Sequence, residues 1–138
     1  MGQDLFKGSL RARLDRIAEA ARVLHKALID ETQREFEKTH GRITNPYALF
    51  TIVANDPAFA WLQPMTSAIV EVEELADRKE PPLAETDLSE ARAKLERLLA
   101  SETEAFGRRY QALIQSSPDI AVEQGLFHAA MREATGRP

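Results

Sequence analysis

Apolar residues near the start of the chain recur at steps of four and three: Leu10, Leu14, Ile17, Ala21, Leu24 and Leu28. That spacing puts all six on one face of a long amphipathic helix, a seam of the kind that packs along another helix. Strong helix formers fill the positions between them, and neither glycine nor proline interrupts the run from Ser9 to His40. Gly41 then supplies a stop. The pattern predicts a helix over residues 4–39, about 54 Å long at 1.5 Å per residue. Such a helix outruns the others in the chain, so its first turns, with Phe6 and Leu10, are expected to fray or to reach a partner.

Prolines punctuate the remainder of the chain. Asn45-Pro46 reads as an N-cap and first helical position and opens a short helix through Val53. Asp56-Pro57 repeats the signal. Phe59, Leu62, Met65, Ile69, Val72 and Ala76 hold one phase straight through Pro64. This predicts a single helix over 57–79, kinked where the Pro64 ring meets the carbonyl of Ala60. Glu80-Pro81-Pro82-Leu83 breaks the chain, and Asp87 with Glu90 is the better capping pair for the next helix. That helix is expected over 88–115, with Leu88, Ala91, Leu95, Leu99, Phe106, Tyr110 and Leu113 inward. Ser117-Pro118 opens the last one, over 118–134, with Ile120, Ala121, Phe127, Ala130 and Met131 apolar and Gly125 weakening its middle. No strand-like alternation occurs. The expected fold is all-α: one domain over 1–138, an up-and-down bundle of four main helices with one short extra helix.

Composition narrows the function classes. At 138 residues, 43% hydrophobic and 29% charged, the chain can bury a single core. The absence of cysteine excludes disulfides, thiolate metal sites and a cysteine nucleophile, and it suits a reducing cytoplasm. No apolar window reaches the ~20 residues that span a bilayer, and the first residues lack a signal-peptide run. A soluble, cytoplasmic protein with no membrane contact is expected.

Net charge is −4, but residues 1–30 carry +2 and residues 66–105 carry −6. An acidic stretch of this kind is either a solvated helix face or a surface for a basic partner or another copy. Arg11, Arg13, Arg16, Arg108 and Arg109 could touch phosphate, yet they have acids nearby and no interleaved aromatics. Nucleic acid is therefore not an expected partner.

The candidate chemistry lies where polar residues fall on apolar faces. Past Leu28 the first seam lands on Glu31 and Glu35; Glu102 sits between Leu99 and Phe106; His128 adjoins Phe127. In an alternating bundle, Glu31, Glu102 and His128 come to similar heights, the ingredients of a weak candidate metal or ligand site. The competing reading follows from 3.6 residues per turn: the seam drifts to Thr32 and Phe36, Glu31 and Glu35 face solvent, and Glu102 pairs with a cation such as Arg109. Glu37-Lys38-Thr39-His40 is the only Glu-x-x-His spacing, and His25 and His40 read as surface residues. No Gly-x-Ser-x-Gly elbow is present. No catalytic residue and no cofactor are assigned.

The only tryptophan, Trp61, lies in Asn55-Asp56-Pro57-Ala58-Phe59-Ala60-Trp61-Leu62-Gln63-Pro64-Met65. It is either an anchor that pins the corner, or an exposed contact for a partner or one wall of a ligand pocket; off the centre of the inner face, it is expected to be partly exposed or covered by Tyr47 and Phe50. With His25-Lys26-Ala27-Leu28 and His40-Gly41, this segment resembles a group of small bacterial all-helical proteins of uncharacterised function carrying Asp-Pro-x-Phe-x-Trp-Leu-x-Pro. The resemblance covers most of the chain and implies a cytoplasmic helical protein with no assigned site. The leading expectation is a non-enzymatic protein acting through protein contacts with a partner or with itself, a homodimer being one form. Its interaction residues would be Trp61, Phe59, Phe6 and Leu10.

Overall fold

The computed structural model describes residues 9–138; the expectation for Phe6 lies outside the described residues. Helix α1, Leu10–His40, starts where the Ser9 hydroxyl accepts the Ala12 N–H at 3.1 Å. It ends where Gly41, at φ 84°, donates its N–H to the Glu37 carbonyl. That positive φ is what makes glycine the natural stop. At 31 residues α1 is about 46 Å long. Leu14, Ile17, Ala21, Leu24 and Leu28 are buried, and the buried stripe then passes to Thr32 and Phe36. The drift inherent in 3.6 residues per turn thus leaves Glu35 in solvent and Glu31 at the rim.

Asn45 caps α2, Pro46–Asn55, by accepting the Tyr47 N–H at 2.8 Å. Asp56 likewise accepts the Ala58 N–H at 2.9 Å, but it opens a 3₁₀ segment, Pro57–Leu62. Helix α3, Gln63–Ala76, comes next. The expected single kinked helix over 57–79 is therefore corrected to a 3₁₀ turn leading into an α-helix. Pro64 sits in the first turn of α3, where an N–H has no intrahelical partner and its loss costs little.

The expected helix over 88–115 is two. Helix α4 spans Glu85–Ala100 and α5 spans Ala105–Ser116. Between them the Ser101 hydroxyl accepts the Glu104 N–H at 3.0 Å, and Gln111 reaches back to the Leu99 carbonyl at 2.9 Å. Gly107 lies so close to this bend that a Cβ there would stand 2.1 Å from the Ser101 carbonyl oxygen. The expected Asp87–Glu90 capping pair is corrected: α4 starts three residues earlier than expected, and Asp87 lies within its first turn, where it accepts the N–H of the N-cap residue Ala84 at 2.8 Å. The last helix, α6, Pro118–Thr135, is capped by Ser117 and stopped by Gly136 at φ 70°.

Among the described residues the fold is all-α, with six helices, one 3₁₀ segment and no strand. None of these helices is long and apolar enough to cross a membrane. Helix α1 packs against α6, α3, α4 and the 3₁₀ segment, so its seam lines the core. Arg13, only 1% exposed, ties three helices together. Its guanidinium donates to the Ala134 and Thr135 carbonyls at 2.8 and 3.3 Å and forks onto Glu85 at 2.8 and 3.2 Å.

Candidate docking surface

Helix α2 reads Pro-Tyr-Ala-Leu-Phe-Thr-Ile-Val-Ala-Asn, with no charged residue. A helix apolar all round ordinarily belongs in a core. Here none of its residues is buried. Leu49, Ile52 and Val53, spaced three and four apart, are half-buried on the side facing the 3₁₀ segment. Tyr47, Phe50, Thr51 and Ala54 form the opposite stripe and are exposed, Tyr47 at 85% and Phe50 at 76%. Their spacing of i, i+3, i+4 and i+7 is the anchor pattern of a helix that lies in a partner's groove.

Beneath α2 the corner is rigid. Trp61 is half-buried, stacks on Phe106 with ring centroids 5.3 Å apart, and carries the Arg109 guanidinium 4.5 Å above its ring. Its indole N–H points to the Thr32 hydroxyl at 3.3 Å, and that hydroxyl donates to the Leu28 carbonyl at 2.8 Å. Of the two alternatives, partial exposure or cover by Tyr47 and Phe50, Trp61 shows partial exposure, and the groups against its ring are Phe106 and Arg109. Phe59 is buried, its ring tilted at 50° against that of Phe36 with centroids 5.9 Å apart, so its expected surface role is corrected to a core role. Leu10 is half-buried against the core.

A second apolar surface lies between α1 and α6. Ala20, Val23, Leu126, Phe127 and Ala130, with Glu123, line a cavity of about 190 Å³. Val23 is 48% exposed and Leu126 60% exposed at its edge.

Glu31, Glu102 and His128 each have different surroundings. Glu31 pairs with Arg34 and accepts the Ser117 hydroxyl at 3.4 Å. Glu102 is exposed in the α4–α5 bend, because the break turns it off the inner face. His128 Nδ1 is 3.6 Å from Glu96. Among the described residues no group of three or more His, Asp or Glu side chains is placed to hold a metal ion. Glu37 accepts the Ile43 N–H at 2.8 Å, and the exposed His40 stacks on Phe36 at 4.1 Å. His25 is half-buried rather than on the open surface, 3.1 Å from the Thr66 hydroxyl, and burial lowers its pKa from the ordinary imidazole value.

The exposed aromatics of α2 are what sequence reasoning missed. The signal for them is the run of ten residues without a charge, which fits cover for Trp61 equally well. No family model matches this chain, and no curated protein or solved structure matches it.

Proposed function

We propose that this chain works through protein–protein contacts made by α2, a second copy of the chain among its partners. The observation that carries the reading is that α2 is uncharged, stands on a braced corner and buries none of its residues. Its two exposed rings offer roughly 250–400 Å² of mostly apolar surface. At about 25 cal/mol per Å², covering them gains on the order of 6–10 kcal/mol before the cost of association. That cost is about 4–15 kcal/mol, so the rings dominate the contact without making it tight.

The reading takes α1, α3, α4 and α6 as the four main helices of an up-and-down bundle, supported by the packing of α1 against the other three. It places the protein in the cytoplasm, supported by the lack of cysteine. Light scattering at high micromolar concentration tests it. The wild type is expected to exceed the 15.5 kDa chain mass, and Tyr47→Ser/Phe50→Ser to remain at it with an unchanged circular dichroism spectrum. A monomeric wild type rejects self-association; association undiminished in the double variant rejects α2 as the contact.

A further inference from the structure

We infer that the receiver of α2 is the α1–α6 groove of a second copy, so that the chain assembles head to tail. This rests on reading α2 as the contact helix. The groove is concave, apolar and about 190 Å³ in volume, the room that one aromatic side chain needs. An uncharged helix with two protruding rings is the convex counterpart.

The charges at the two surfaces are opposite. Arg42 lies in the loop that leads into α2, three residues ahead of the Asn45 cap, is exposed and forms no ion pair among the described residues. Glu123 lines the groove and is likewise without an ion-pair partner there. Docking the helix along the groove lets the two approach at the rim.

Geometry decides between a closed pair and a repeating contact. The loop and α2 fold back on α1 at Phe36 and His40, which line a shallow cleft with Ala48 and Ile52. The groove uses Ala20 and Val23 of the same helix. From Ala20 to Phe36 the helix turns by roughly 160° net and advances about 24 Å. Helix and groove therefore lie on opposite sides of α1, too far apart to meet within one copy. A two-fold pair that seats both helices at once is disfavoured for the same reason. Each copy then offers a helix on one side and a groove on the other, which makes the contact heterologous and repeating.

Area points the same way. Two α2 helices meeting stripe to stripe would bury little more than their rings, well short of the ~800 Å² per partner of a standard interface. Seating one ring in the groove and the other at its edge adds the exposed parts of Val23 and Leu126.

A mixing experiment tests the inference. Tyr47→Ser/Phe50→Ser disables the helix, and Val23→Glu/Leu126→Glu disables the groove. Wild-type mass is expected to rise with concentration past twice 15.5 kDa, and each variant alone to stay at the chain mass. Mixed one to one, the variants share one working contact and are expected to stop at a pair. If Val23→Glu/Leu126→Glu loses its helical spectrum, Leu126→Ser, at a 60% exposed position, replaces it. A groove variant that associates like the wild type overturns the groove while leaving α2 as the contact. A mixture that stays monomeric, or a wild type that plateaus at a dimer, overturns head-to-tail assembly. A monomeric wild type overturns the head-to-tail inference and the self-association part of the functional reading.

Discussion

Replacing Gly107 with alanine has opposite expected signs in a continuous helix and in the observed bend. In an unbroken helix over 88–115, a mid-helix Gly→Ala change stabilises by about 0.8–1.0 kcal/mol. In the structure the new Cβ would stand 2.1 Å from the Ser101 carbonyl oxygen and 2.8 Å from its carbon. Both are backbone atoms, and Ser101 is held by the Glu104 N–H on its hydroxyl, so the bend cannot yield without losing that bond. Overpacking of this kind costs about 1–3 kcal/mol, and a backbone obstacle this near belongs at the upper end. After the propensity gain, a net loss of about 2 kcal/mol remains. For a domain of this size that lowers Tm by roughly 6–10 °C. Gly125 supplies the control: nothing lies within 4 Å of its Cβ position, so Gly125→Ala should gain ~0.4–1 kcal/mol. Urea unfolding followed by circular dichroism reads both. If Gly107→Ala stabilises as Gly125→Ala does, the α4–α5 break is refuted.

Three further outcomes rest on individual contacts. Arg13→Ala leaves the Ala134 and Thr135 carbonyls without their donor and should cost on the order of 3 kcal/mol in urea unfolding, whereas Glu85→Gln, on the exposed side, should cost under ~1 kcal/mol. Burial depresses the His25 pKa in the folded state, so between that value and the unfolded value of about 6.5 the unfolded chain binds more protons. The His25 contribution is then present above ~6.5 and lost as pH falls through the folded pKa, and His25→Gln should flatten the fall of Tm over that window. Glu102→Gln, at an exposed position, should change stability by less than ~0.5 kcal/mol; a larger gain would mean that this carboxylate is buried after all.

The longest element was legible because Leu14 to Leu28 repeat without interruption, and even the drift onto Thr32 and Phe36 comes from the helical period. Caps were legible too, since Asn45, Asp56 and Ser117 each precede a proline and each accepts the N–H its position implies. The α4–α5 break was not. Leu99 and Phe106 lie seven residues apart, so the apolar stripe keeps its phase across the bend and conceals it. The same blindness merged the 3₁₀ segment with α3, because Phe59, Leu62 and Met65 at steps of three fit either helix type. For the site, Glu102 left the inner face once the helix broke, which separated it from Glu31 and His128. Exposure of Tyr47 and Phe50 was hidden for another reason: an uncharged apolar helix reads as core, and only the tertiary arrangement shows that none of the described residues covers its outer stripe.

Amide hydrogen exchange across α2, measured in dilute and in concentrated solution, tests the central claim most directly. A helix with no buried residue, leaning on one 3₁₀ segment, should exchange readily when the chain is alone. If α2 is the contact, protection over residues 46–55 should rise several-fold with concentration while the buried centre of α1 stays unchanged. Exchange over 46–55 that is the same at both concentrations, in a sample whose mass shows association, would contradict the account.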